Sequence, residues 1–217
     1  MQQVLADLAV EPEAATTLML RLARAYDAVA NDANRAEEVA FRRLATAVAK
    51  YWVCKRQPVV VVEALECLGG AGYVEESGLP RLFRESPLNG IWEGSGNVIA
   101  LDVLRAVGRE TPALDAVRAE IALGAGADAR LDRALADIDA ALGDLAAASG
   151  PDAERQARRL TERLALALQG SLLVRYSSPA VADAFCATRL AGDHGITFGT
   201  LPSGVDTTAI LARAWPT

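Results

Sequence analysis

The chain has 217 residues and carries 28 Asp and Glu side chains against 22 Lys and Arg, a formal charge of -6 at pH 7. A chain of this length buries roughly 70% of its unfolded surface on folding, so its core needs no disulfide or structural metal. The acidic balance argues against general binding to nucleic acids.

Few cysteines and one histidine exclude several kinds of site. Cys54, Cys67 and Cys186 contain no C-x-x-C pair and form no disulfide framework. His194 alone cannot build a histidine-rich metal cage, which argues against a metal site. The first 20 residues lack the positive charge of a signal peptide, and no uncharged run approaches the roughly 18 residues of a membrane helix. We therefore expect a soluble, cytoplasmic protein.

Composition predicts an all-α fold. Alanine supplies 44 residues, while aromatic residues make up only 5%, which favours closely packed helices over β-branched and aromatic strands. Residues 13–57, 113–150 and 152–178 contain no proline. Because proline inside a helix removes a hydrogen bond and clashes with the preceding turn, these intervals suit long helices.

The first half of the chain predicts two antiparallel helices, since apolar residues recur at helical spacing on both sides of a polar break at 31–35. A third helix is expected to start near Pro58, although the β-branched run 59–62 would also suit a buried strand. Residues 69–97 hold seven of the 17 glycines. We expect a long structured loop there, and such loops are usually functional.

After this loop, Ser95 or Asn97 is expected to cap a helix that ends at Gly108. Later helices are expected, from their alanine and leucine spacing and from prolines near their starts, at 112–123, 129–149, 151–176, 179–191 and about 206–214.

Glu93 is the acid with the most distinctive surroundings. It stands in I-W-E-G-S-G, between bulky apolar residues and glycines, with no cation beside it in sequence. We expect a poorly solvated carboxylate there, which is the kind of group that removes a weakly acidic proton from carbon. An exposed loop glutamate is the alternative.

Two further features of this segment have more than one interpretation. Bare backbone at Gly69 and Gly70 would allow close approach of an anionic cofactor, but spacing alone favours a helix end and a turn. Residues 95–97 either cap a helix or offer its free N–H groups to phosphate oxygens. Arg105 either points toward the glycine-rich segment or pairs with Asp102.

A group of arginines recurs at i, i+3, i+4 and i+8 and therefore shares one helix face. This face could contact the phosphates of a nucleic acid, but neighbouring acids make a solvated charged face the commoner case. Its members are Arg155, Arg158, Arg159 and Arg163.

The stretch from Lys55 to Val107 resembles the C-terminal helical domain of flavin-dependent acyl-CoA dehydrogenases. Its E-E-S-x-L-P-R-L-x-R-E and I-W-E-G-S-G-N blocks are similar to the AidB-like branch of that family, which is linked to the response to DNA alkylation. The likeness continues more loosely to the last helix. It implies a C-terminal four-helix bundle over 1–108, with a flavin-site loop at 69–97, and an AidB-like helical extension over 109–217.

The resemblance also implies roles for individual residues. Glu93 matches the base that removes the α-proton of an acyl-CoA thioester while a hydride leaves the β-carbon for the flavin of FAD. Gly69 and Gly70 match the glycines near the FAD of a neighbouring subunit. Ser95 and Asn97 match a hydroxyl and an amide near the cofactor. Trp92 matches an indole at the flavin pocket, and Arg105 matches a polar residue of the active-site cavity.

Members of this family are tetramers in which FAD lies between a middle β-domain and the last domain. The likeness covers only the last domain, so we expect this chain by itself not to convert an acyl-CoA substrate. Two alternatives remain: a non-catalytic module that protects double-stranded DNA through the arginine face, and a helical bundle that dimerises through its apolar surface.

Overall fold

Helices account for every regular element in the computed structural model, which describes residues 1–148 and 150–215. A 3-10 turn spans Glu75–Ser77 and a π-helical turn spans Cys186–Leu190. No described helix combines the length and apolar character needed to cross a membrane. Within these ranges the α-helices are α1 (Gln2–Asn31), α2 (Ala36–Cys67), α3 (Gly70–Tyr73), α4 (Leu79–Asn89), α5 (Gly96–Arg109), α6 (Thr111–Ala122), α7 (Ala129–Ala147), α8 (Pro151–Tyr176), α9 (Pro179–Phe185) and α10 (Thr207–Ala214).

The predicted all-α fold, a helical bundle followed by further helices, is confirmed. Helices α1 and α2 meet at the expected polar break, where α1 ends at Asn31 and α2 begins at Ala36. Leu18 and Leu22 of α1 lie in the same buried core as Leu44 of α2. The hydrophobic spacing of the first 50 residues therefore corresponds to the buried faces of the helical hairpin formed by α1 and α2.

The expectation of a third helix starting at Pro58 is wrong. Helix α2 continues through Pro58 to Cys67, and the β-branched residues 59–62 are helical. Proline removes one backbone hydrogen bond from α2. A lone strand would leave far more backbone groups unpaired, because the described residues include no second strand to receive them.

The expected loop at 69–97 is also largely helical. Helix α4 occupies its centre and packs along α2, with Pro80 in its first turn. The glycines mark breaks between short helices: Gly69 has φ +57° and Gly78 has φ +75°, which are left-handed conformations that suit glycine. Apart from single-residue breaks at 69, 74 and 78, the part of this segment without regular structure is the turn at 90–95.

The later helices follow the predicted pattern with small corrections. Ser95 is the N-cap residue of α5 but makes no side-chain cap bond, and α5 extends one residue past Gly108. The helix expected at 179–191 is α9 followed by the π-helical turn. Residue 149, the expected end of α7, lies outside the described residues, and α7 ends at Ala147.

Residues from both halves of the sequence share two hydrophobic cores. The larger core joins α1, α2 and α5 to α6, α7 and α8, whose Leu164 and Leu168 are fully buried. The smaller core packs Ala6 and Val10 of α1 against Phe185 and Ile210 near the C-terminus. The two segments 1–108 and 109–217 thus complete each other's cores.

A buried group of charges fastens α1 to the C-terminal part. The Arg189 guanidinium donates to Asp7 at 2.5 Å and to Glu11 at 2.9 Å, and Arg56 of α2 donates to Glu11 at 2.7 Å. The Gly199 amide donates to the second oxygen of Asp7 at 2.9 Å. Since these carboxylates are buried and each accepts several hydrogen bonds, removing one partner leaves an uncompensated charge.

A second buried group joins four helices around Glu120 of α6. Its carboxylate accepts from Arg21 of α1 at 2.7 Å and from Arg175 of α8 at 2.6 Å. Arg21 also donates to Glu38 of α2 at 2.9 Å and lies over the Phe41 ring, 3.9 Å from its centroid. These contacts fix the relative positions of α1, α2, α6 and α8.

Acid is expected to weaken the fold through these carboxylates. Burial by itself would raise the pKa of Glu11, but hydrogen bonds and charges from Arg56 and Arg189 outweigh it and lower that pKa below 4.5. A lowered folded-state pKa contributes stability above the unfolded-state pKa, and this stability is lost as pH falls toward the folded-state value. We expect the free energy of unfolding, measured with urea from pH 7 to pH 3, to fall below roughly pH 4.5.

Glu11→Gln removes this contribution and leaves both arginines short of a partner, so we expect a loss of about 3 kcal/mol at pH 7 and a flatter acid limb. Glu76→Gln removes an exposed acid and serves as the control. A Glu11→Gln variant with the same unfolding curve as the native chain would contradict the role given to this charge group.

Candidate active site

A tight turn between α4 and α5 carries Glu93. Its φ of +54° makes it the one residue other than glycine with a positive φ in the described ranges, and Gly94 follows with φ +113°. A left-handed glutamate costs about 1–3 kcal/mol and persists only where the surroundings hold it. Such strain is concentrated at functional sites, which makes Glu93 stand out for a reason independent of its motif.

Lys50 of α2 holds this turn. Its ammonium donates to the carbonyl oxygens of Asn89 at 2.8 Å, Trp92 at 2.9 Å and Gly94 at 3.0 Å. The sequence analysis missed Lys50, because it lies 42 positions before Trp92 and no local pattern links the two. The sequence feature that could have drawn attention to Lys50 is the rarity of lysine, since the chain has only two lysines among its 22 basic residues.

A cleft of about 1560 Å³ lies beside the turn. Glu93, Gly94 and Lys50 border it, α2 and α5 form its walls, and Val98 and Ile99 make its surface near Glu93 apolar. Its lining comprises Tyr26, Ala33, Asn34, Ala36, Val39, Ala40, Arg42, Arg43, Thr46, Ala47, Lys50, Glu93, Gly94, Val98, Ile99, Asp102, Arg105, Glu110, Pro112 and Ala113.

The expectation of a poorly solvated Glu93 carboxylate is not met within this chain, where the residue is exposed. The two apolar residues before it in the motif are exposed as well, Ile91 by 64% and Trp92 by 56%. The turn points these side chains outward, and none of the described residues covers them. Neighbours in sequence therefore do not desolvate this carboxylate.

The far part of the cleft is polar and crossed by ion pairs. Arg43 of α2 donates to both oxygens of Asp102, at 3.0 and 3.2 Å, and to Glu110 at 3.0 Å. The hydrogen bond to Asp102 raises the pKa of Arg43 above its ordinary value. Arg105 donates to Asp102 at 3.3 Å, as one of its two interpretations predicted, and it also lines this part of the cleft; its role in a substrate cavity stays a prediction.

The glycines near α3 have separate structural explanations. Gly69 needs its left-handed φ to end α2. A Cβ on Gly72 would lie 2.0 Å from the Leu65 carbonyl oxygen, so close packing on α2 requires glycine there. A Cβ on Gly70 would meet no atom within 4 Å, and its φ is not positive. Nothing in the described chain requires glycine at this position.

Within one chain, Gly69 and Gly70 do not share a site with Glu93. They follow the C-terminal end of α2, whereas Lys50 and the cleft lie in its N-terminal half. At about 1.5 Å per helical residue, the 17 residues from Lys50 to Cys67 span roughly 25 Å.

The polar residues at the start of α5 have free hydrogen-bonding groups. Ser95 and Asn97 are exposed, and neither side chain takes part in any hydrogen bond among the described residues. The first N–H groups of a helix have no intrahelical acceptor and form its positive end. Gly96, the first residue of α5, is buried against the Lys55 side chain, whereas Ser95 and Asn97 on either side of it are exposed to an acceptor such as a phosphate oxygen.

The predicted arginine face on α8 is largely occupied by contacts within the chain. Arg155 pairs with Asp152, Arg158 donates to the Tyr51 hydroxyl at 3.2 Å, and Arg163 donates to the Asp137 carbonyl at 3.3 Å. The fourth arginine borders a small cavity that also includes an acid; these residues are Arg159 and Asp144. Binding of double-stranded DNA by this face stays a prediction.

The family of the chain follows from comparison with known proteins. Residues 1–108 match the sequence family described as acyl-CoA dehydrogenase, C-terminal domain. The putative acyl-CoA dehydrogenase AidB of Escherichia coli K12 is 40% identical over 196 residues, which cover 90% of this chain and 34% of that protein. The chain belongs to the acyl-CoA dehydrogenase superfamily.

A second sequence match and a solved structure, both of an acyl-CoA dehydrogenase numbered 11 from Caenorhabditis elegans, agree with this assignment. Acyl-CoA dehydrogenase family member 11 of Caenorhabditis elegans is 38% identical over 101 residues, or 46% of this chain and 16% of that protein. The crystal structure of C. elegans ACDH-11 in complex with C11-CoA superposes with a TM-score of 0.68 at 26% identity, covering 84% of this chain and 34% of that one. The chain thus spans about a third of the length of its AidB relative.

The strain at Glu93 predicts an unusual response to mutation in this dehydrogenase domain. Glu93→Gly relieves the left-handed backbone and should raise the free energy of unfolding by about 0.5–1 kcal/mol, even after the entropy that glycine adds to the unfolded chain. Glu93→Gln keeps the strain and isolates the loss of charge. Urea unfolding curves that coincide for the two variants would rule out strain at this turn.

Proposed function

We propose that this chain supplies the catalytic base and part of the flavin site of an FAD-dependent acyl-CoA dehydrogenase, which converts an acyl-CoA thioester to its α,β-unsaturated product. The observation that carries the proposal is a glutamate held in a strained turn at the edge of a large cleft, in a chain that carries the C-terminal domain of this superfamily. The solved C. elegans relative bound to C11-CoA supports the substrate class.

Glu93 would act as a carboxylate base. With the thioester carbonyl nearby, its carboxylate takes the proton from the α-carbon and becomes the neutral acid. Bound FAD would supply the acceptor for the hydride that leaves the β-carbon. The apolar wall formed by Val98 and Ile99 next to Glu93 suits an acyl chain, and a second domain laid over the turn would supply the desolvation that this chain does not.

The free groups at the start of α5 fit a flavin nucleotide. Ser95 offers a hydroxyl, Asn97 an amide and the helix its first N–H groups, and none of these has a partner within the described chain. Together they suit the phosphate and polar edges of FAD. Trp92 lies exposed at the same turn, where an indole would pack against the flavin or the substrate.

The separation of the glycines from Glu93 supports a homo-oligomer. Gly70 has no side-chain atoms to block approach, and no atom of this chain would contact a Cβ there. Because Gly69 and Gly70 lie beyond the far end of α2 from the cleft, they suit the FAD of a neighbouring subunit.

The central test joins the chain to the N-terminal and β-domains of a family member and measures loss of flavin colour on addition of C11-CoA and shorter acyl-CoA thioesters. We expect a yellow complex that the thioester reduces. Glu93→Gln should retain FAD yet lose at least about 100-fold in reduction rate, the lower range for a general base. Glu76→Gln is the control, and a Glu93→Gln complex reduced at the native rate would reject Glu93 as the base.

A glycine pair tests the subunit contact. Gly70→Ala should leave the urea unfolding of the isolated chain unchanged or slightly improved, because its Cβ points into open space, but should weaken FAD retention in the assembled oligomer by about tenfold, or 1.4 kcal/mol. Gly72→Ala should destabilise the isolated chain, since its Cβ would collide with the Leu65 carbonyl. Full FAD retention by Gly70→Ala would remove Gly70 from the cofactor site.

A further inference from the structure

Three carbonyl groups converge on one cation beneath the Glu93 turn. The Asn89 carbonyl closes α4, and the left-handed conformations of Glu93 and Gly94 fold the chain back so that the Trp92 and Gly94 carbonyls point the same way. The Lys50 ammonium meets all three, at 2.8, 2.9 and 3.0 Å. An ammonium has three N–H donors, so its hydrogen-bonding capacity is filled by this turn.

The charge of Lys50 is directed at the backbone. In the described parts of the chain, no carboxylate forms an ion pair with it. The carbonyl at the end of α4 belongs to the negative end of a helix dipole, which favours a cation there. The turn itself has few hydrogen bonds: the amides of Ile91 and Trp92 both donate to the Leu88 carbonyl, at 2.9 and 3.0 Å.

Two of the three bonds bracket Glu93. The Trp92 carbonyl belongs to the peptide group before Glu93, and the Gly94 carbonyl belongs to the peptide group after the next residue. Holding both carbonyls on one donor fixes the backbone between them. The strained φ of Glu93 therefore has a physical restraint, and the direction of its side chain follows from that restraint.

We propose that Lys50 is a positioning residue for the reaction: it sets the direction of the Glu93 carboxylate toward the cleft without touching substrate or cofactor. This inference rests on the proposed function. An arginine would not replace it, because a planar guanidinium directs its donors outward in a fork, whereas these three oxygens surround a single point. The chain otherwise uses arginine almost throughout, which accords with a specific demand for lysine here.

The first measurement uses the 217-residue chain without cofactor. Lys50→Met keeps the alkyl stem and removes the ammonium, so the hydrogen-bonded amides of Ile91 and Trp92 should exchange with solvent at least about tenfold faster, while those of α8 keep their rates. Gln57→Met is the matched control. Gln57 lies on the same helix and accepts from the Asn89 side chain at 2.9 Å, but it does not touch the carbonyls around Glu93.

The second measurement uses the assembled complex. Lys50→Met should lower the maximal rate of flavin reduction by at least about tenfold, while KM for the acyl-CoA changes less than about twofold and FAD content stays equal, since misaiming the base affects the chemical step more than binding. Gln57→Met should keep the native rate. A fall in rate that matched only a loss of FAD or of folded protein would overturn a positioning role.

Chemical rescue separates positioning from simple damage to the fold. Lys50→Cys treated with bromoethylamine regains an ammonium at nearly lysine length, and its reduction rate should return to within about threefold of native chain treated the same way. The treated native chain accounts for reaction at Cys54 and Cys67, which are partly exposed. Failure of the ammonium to restore the rate would overturn the proposal.

The two hypotheses fail differently. If the Glu93→Gln complex shows no flavin reduction and the flavin of the Lys50→Met complex is reduced at the native rate, the proposed function stands and the positioning role is wrong. If the flavin of the Glu93→Gln complex is reduced at the native rate, or if no acyl-CoA reduces the flavin of the native complex, the proposed function is wrong. The proposed role of Lys50 is then wrong as well. Faster exchange at Ile91 and Trp92 together with a lower maximal rate in Lys50→Met supports both.

Discussion

The candidate site depends on the continuity of helix α2 through Pro58. One half of this helix forms a wall of the cleft and supplies Lys50, and the other half leads to Gly69 and Gly70. Proline removes a backbone hydrogen bond in between, so packing must keep the helix intact. Helices α4 and α5 lie along α2 and provide that packing. A break at Pro58 would change the position of Gly69 and Gly70 relative to Lys50 and the cleft.

Local chemistry was sufficient for much of the fold. The polar break before Ala36 and the prolines at the starts of α8 and α9 act within one or two turns, and the sequence located these boundaries closely. The continuation of α2 through Pro58 and the helicity of α4 were not predictable in this way. Both depend on the packing of α4 against α2, and a local pattern does not contain that contact.

The candidate site was likewise predictable from sequence only in part. The motif I-W-E-G-S-G singled out Glu93, and the spacing of the four arginines correctly indicated that they lie on one helix, α8. Three properties came only with the three-dimensional arrangement: the left-handed backbone of Glu93, its exposure, and the bonds from Lys50. Each depends on residues that are distant in sequence, and composition shows only that lysine is rare in this chain.

The smaller hydrophobic core makes the start of the chain dependent on its C-terminal part. Val10 in the first helix is covered by Phe185 and Ile210, and Asp7 and Glu11 share the buried Arg189. The first turns of α1 are therefore buried and neutralised by residues from the other end of the sequence. Removing those residues would expose Val10 to water and leave Asp7 and Glu11 without the Arg189 guanidinium.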